Sequence, residues 1–185
     1  AGATCAMIST ASRSLWVYRG LYVLIALLLL FLRILPLSHP TGRLPGPDLL
    51  LALTFAWVVR RQDYVPIWLI AAVILAEDII TMRPPGLWCA LVVIACEFMR
   101  LRTVMVRELN FAGEWAVVSG LMLAMLIVYR LLFAITFLPQ VTFGFALVQV
   151  LWSIAAYPLV VLITRYVLAL HKPSMGEVDA FGRRF

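Results

Sequence analysis

Residues 74–88, ILAEDIITMRPPGLW, set two carboxylates, Glu77 and Asp78, side by side in a strongly apolar stretch. Carboxylate pairs carry out general acid–base work when they converge on one reacting atom. Neighbours on a helix instead point about 100° apart, so these two cannot share a substrate. No His-Glu-x-x-His, Gly-x-Ser-x-Gly or Gly-rich phosphate loop is present. The two histidines, His39 and His171, lie outside the apolar segments. Cys89 and Cys96 are seven residues apart, about 10 Å along a helix and too far for a disulfide. With Cys5 they offer no metal-ligand spacing. The chain is therefore expected to be no enzyme, with no catalytic residue, metal or cofactor.

What must position these acids is a membrane bundle. Of 185 residues, 64% are hydrophobic and only 13% charged, and the mean hydropathy is +1.03. A soluble domain carries about a quarter charged residues and could not hide so much apolar surface. Six segments read as spans: 17–35, 47–59, 65–82, 86–99, 115–138 and 145–170. The second and fourth fall short of the roughly 20 residues of a full span. Pro/Gly punctuation on one side and arginine on the other brackets them as short spans in a thin bundle. The reading is an all-α integral membrane protein, a six-helix domain over 15–171 with tails at 1–14 and 172–185. Met7 is a candidate start, and nothing rests on residues 1–6. The first apolar run lacks a small-residue cleavage site, so no signal peptide is expected.

The net charge of +6 is almost wholly arginine, which suggests topology and anionic lipid, with no nucleic acid. With a cytoplasmic N-terminus, eleven positive residues fall inside, among them Arg60, Arg61, Arg100, Arg102 and Arg107. Three, Arg33, Arg43 and Arg83, fall outside. That bias puts both termini in the cytoplasm.

Buried charges cost about 2.5–3.5 kcal/mol each on insertion scales, so each needs a partner or a wet cavity. At a 1.5 Å rise per residue, Glu77 and Asp78 lie about 18–20 Å from the cytoplasmic side. By the same count Arg33 lies about 21 Å and Arg130 about 22 Å from it, and Asp48 opens the second span at that level. The expectation is a charge cluster of Asp48, Glu77, Asp78, Arg130 and Arg33 that staples helices together or lines a polar outer pocket. Arg130 is expected to meet one of the adjacent acids, the other turning to outer water or Arg83. Glu97 is expected to snorkel or to pair with Arg100 or Arg102. Ala52/Ala56 and Ala72/Ala76 form small-residue faces for close packing. Trp16, Tyr18, Tyr64, Trp88 and Trp115 fit an interfacial aromatic belt. The stretch around Arg100, Arg102 and Arg107 reads as an inner-surface contact for anionic lipid or a cytoplasmic partner.

GPDLLLALTFAWVVRRQD, LAEDIITMRPPGLWCALVV and VRELNFAGEW, in that order, resemble MreD, the rod-shape-determining membrane proteins of bacteria. Pro47 and Asp48 match the family's Pro-Asp opening of a leucine-rich helix. Asp78, Pro85 and Gly86 match its acid before a Pro/Gly turn. Glu77 departs from the pattern, and Arg130 has no counterpart in it. The resemblance covers about residues 15–170. It implies a fold similar to the substrate-binding subunits of energy-coupling-factor vitamin transporters. It also implies a non-enzymatic scaffold of cell elongation beside MreC, MreB, RodA and a penicillin-binding transpeptidase. The fold likeness supplies an alternative, a solute- or lipid-binding subunit of such a transporter.

Overall fold

Apolar runs punctuated by Pro, Gly and short polar caps give helices and nothing else among the described residues. The computed structural model describes residues 2–35, 45–102, 110–136 and 142–166, with side chains described from Leu15 onward. Its helices are α1 (Gly2–Ile34), α2 (Leu49–Arg60), α3 (Ile67–Ile80), α4 (Leu87–Leu101), α5 (Phe111–Ile135) and α6 (Phe143–Tyr166), with a 3-10 turn at Gln62–Tyr64. Each expected segment holds one helix. Arg43, Arg107, Lys172, Arg183, Arg184, His39 and His171 lie outside the described residues.

Three helical segments are long and apolar enough to cross a membrane: Leu15–Ile34, Phe111–Ile135 and Phe143–Tyr166. That is the make-up of an α-helical membrane protein. The other three helices have 12, 14 and 15 residues, about 18, 21 and 22 Å at a 1.5 Å rise. The third segment is thus shorter than its expected 65–82. Pro66 opens α3, and the chain turns away at Thr81 and Met82, whose φ of 51° ends any helix. At the other extreme, α1 continues back to Gly2, through the stretch read as a tail.

The short α2 is the axis of the fold. Every residue from Leu50 to Arg60 is buried, as expected of a helix apolar on all sides. It packs most extensively on α6 and also meets α4 and α1, while α3 pairs with α4 and α5 with α6. Ala52 and Ala56 are fully buried on it and allow the close approach their spacing suggests. Ala72 faces outward on α3, so the second small-residue pair is no packing face. Tyr22 of α1 packs its ring against Trp57 at 5.5 Å. Its hydroxyl lies 2.9 Å from that of Thr54, which itself donates to the Leu50 carbonyl, leaving Tyr22 as the donor. Large apolar side chains such as Leu24, Leu28, Phe31, Ile127, Leu131 and Ile163 cover the exterior. An exterior of that kind is solvated by lipid tails, not water.

Candidate functional site

A helix of about 18 Å cannot reach both faces of a roughly 30 Å hydrocarbon core, so polar groups at its ends need partners within the protein. Both ends of α2 meet that demand. At its start, Asp48 caps the helix by accepting from Leu51 N at 3.2 Å, which suits the positive end of the helix dipole. The Asp48 amide donates to Ser153 Oγ of α6 at 2.7 Å, and that hydroxyl donates to the Gln149 carbonyl at 2.8 Å. Arg33, in the last turn of α1, lies 3.9 Å from the Asp48 carboxylate and hydrogen-bonds Glu77 of α3. One guanidinium therefore ties α1, α2 and α3.

This corrects the expected pairing. Glu77 meets Arg33, not Arg130, because it faces the α1/α2 side of α3 and is fully buried there. Asp78, also fully buried, turns neither to water nor to Arg83 for its bonds. Its Oδ2 accepts from the main-chain N–H groups of Gly86 at 3.2 Å and Cys89 at 3.1 Å. Gly86 precedes α4 with a φ of 92°, a conformation suited to glycine, and has no side chain to cap with. Asp78 supplies the missing acceptor from the neighbouring helix. The two adjacent acids thus have divergent tasks, as their 100° separation requires.

Arg130 of α5 lies over the Phe143 ring, 5.2 Å from its centroid, and Arg83 over Trp88 at 5.4 Å. Both line a cavity of about 190 Å³ between α5 and α6, bordered by the start of α2 and by Trp88 in the first turn of α4. Asp48, Tyr129, Gln149 and Ser153 are among its other polar walls, and Leu126, Phe133 and Val150 are among the apolar ones. Of the expected cluster, Asp48 and Arg130 line this space, whereas Arg33, Glu77 and Asp78 do not.

The Arg60 end of α2 holds a second polar group that the sequence reading did not single out. Arg60 donates to Glu114 Oε1 of α5 at 2.9 Å, and the Tyr157 hydroxyl of α6 donates to the same oxygen at 2.8 Å. All three side chains are buried. The signal was available: Glu114 sits in the first turn of a long apolar helix, at the level where α2 ends on arginine. Nearby, Arg100 hydrogen-bonds the Val65 carbonyl and lies 3.7 Å from Glu97, within the pairing expected from spacing. Arg102 stands over Phe98 at 5.8 Å. The aromatic residues read as a belt are half-buried or exposed, and most of them also contact a neighbouring element. Tyr18 stacks on Tyr64 at 4.5 Å, and Trp88 meets Tyr129 edge-on at 5.5 Å. Trp115 donates from Nε1 to the Ile154 carbonyl at 3.0 Å. That carbonyl lacks its helical donor because Pro158, four residues on, has no N–H. Trp16, 63% exposed, and Trp115, 40% exposed, keep outward positions.

Comparison with protein-family models, curated proteins and solved structures found no match for the chain. Fold and site together define a class: an all-helical membrane protein whose buried charges link helix to helix. Among the described residues no group of side chains could hold a metal ion.

Proposed function

We propose that the chain is a non-enzymatic scaffold subunit of the bacterial elongation machinery, presenting helix faces to MreC and its membrane neighbours. In this reading six helices form the bundle, both termini are cytoplasmic, and the location is the inner membrane. MreB, RodA and a penicillin-binding transpeptidase belong to the same assembly. The carrying observation is how the acids are used: Asp48, Glu77, Asp78 and Glu114 all hold partners on other helices or main chain. A bundle stapled in this way keeps a fixed outer shape, which is what a scaffold needs from its interior. Loops of a few residues, such as 83–86, leave the lipid-facing helices as the main surface for partners.

The cavity favours the second reading, a solute- or lipid-binding subunit of an energy-coupling-factor-type transporter. Gentle extraction from native membranes, then mass spectrometry of the co-purifying proteins, separates the two. Recovery of an MreC-like protein with a penicillin-binding partner is the expected result. Recovery of paired ATPases with a coupling membrane subunit would overturn the scaffold and favour the transporter.

A further inference from the structure

The cavity combines two chemistries that the bundle's stability does not require in one place. Along α5 its wall runs from Met122 to Phe133, a rise of about 16 Å along one helix face. That face is apolar except at Tyr129 and Arg130. Arg83 closes the same end from the turn before α4. The one carboxylate on the wall, Asp48, already caps α2 and faces Arg33. The lining therefore carries two guanidiniums and one carboxylate in an otherwise largely apolar slot. At about 190 Å³ it exceeds the roughly 150 Å³ of an apolar cavity that admits a benzene ring. A phosphate-sized headgroup and the first part of a chain fit that scale.

We propose that this cavity binds an amphipathic anion, with the headgroup at Arg83 and Arg130 and the apolar chain along the Leu126 and Phe133 face. Guanidinium groups suit phosphate or carboxylate oxygens through paired N–H donors, and a low-dielectric wall strengthens each such bond. Both guanidiniums lie over aromatic rings, which limits their rotamers before the ligand arrives. The source of the anion is a membrane lipid or a soluble amphiphile of the same chemistry. The site stands independently of the scaffold reading, since it rests on the lining alone.

The test uses the full chain in dodecyl maltoside, with dodecyl phosphate as the added compound and thermal unfolding as the readout. A saturable rise in Tm is expected, and Arg83→Gln or Arg130→Gln should weaken the apparent affinity about tenfold each. Ala146→Phe, which fills the cavity and leaves both arginines, should abolish the shift; it keeps the test valid if an arginine variant fails to fold. An equal shift with dodecanol would remove the anion requirement and overturn the proposal. So would inorganic phosphate acting at the same concentration, or an Ala146→Phe variant that still responds. A companion measurement in phosphatidylcholine nanodiscs, with and without phosphatidic acid, identifies the source. Protection by phosphatidic acid that Ala146→Phe removes assigns the site to a bilayer lipid. A response confined to dodecyl phosphate assigns it to soluble amphiphiles.

Discussion

At the level of single residues, the decisive quantity is the cost of an unpaired charge in a medium without water. Removing one partner of a buried pair costs about 3–5 kcal/mol, because the other charge stays behind. Glu77 is fully buried and Arg33 is the guanidinium bonded to it. Glu77→Arg alone should therefore sharply lower the thermal stability of the detergent-solubilised protein, as should Arg33→Glu. Combining the two should recover part of the loss, since the pair is rebuilt with its signs exchanged, although Asp48 then faces a like charge. Measured Tm values decide it: a double variant whose loss equals the sum of the two single losses would show that these residues are not coupled. Depth along a helix follows from counting residues, and that placed Arg33, Asp48, Glu77, Asp78 and Arg130 at one level. Rotation about the helix axis does not follow from counting. In a membrane both the lipid-facing and the core-facing sides are apolar, so the periodicity that orients a soluble helix is weak. Hence Arg33 and Arg130 were indistinguishable as partners for Glu77, and Arg60 looked like a topology marker although it is buried against Glu114.

Among the elements, helix ends and interruptions govern the geometry. The start of α2 was legible because Pro47 and Asp48 open its apolar run, and Asp48 caps it. The start of α5 was not: Asn110 caps it through Gly113 N, and it begins at Phe111, four residues before the expected Trp115. Less legible was which distant side chain completes an end that lacks its own cap, as Asp78 does for α4 across the turn. Pro158 poses the same problem inside α6. It deprives Ile154 of a donor, and the indole of Trp115 on α5 takes that place at 3.0 Å. The contact joins α5 to α6 at a defined register. Trp115→Phe should cost about 1–2 kcal/mol, the scale of an acceptor left unpaired. In a Pro158→Ala background, a restored helical N–H can serve Ile154 itself, and the cost of Trp115→Phe should shrink by about 1 kcal/mol. Equilibrium unfolding of the four variants yields this coupling, and strictly additive effects would mean that the indole bond is incidental.

Across the whole molecule, the short helices set the dimension. The central α2 is about 18 Å long, and α3 and α4 are little more, whereas α5 and α6 have 25 and 24 residues. A bilayer that met the long helices at full extension would leave the short ones mismatched by about 14–18 Å of hydrocarbon. Mismatch costs fractions of a kcal/mol per ångström, so the sum over three helices reaches a few kcal/mol. The long helices can relieve their share by tilting, which lowers the height they span without exposing main chain. The short ones have no such freedom, because stretching a helix breaks its hydrogen bonds. The bundle as a whole should thus prefer thin membranes, with the α2 end groups held by internal partners at any thickness. Reconstitution into phosphatidylcholine bilayers of increasing acyl length measures this directly. Thermal stability should peak in bilayers thinner than about 30 Å and fall as chains lengthen. A stability that rises steadily with thickness would mean that α5 and α6 alone set the span. In that case α2, α3 and α4 would be a core enclosed by longer helices and would not themselves cross.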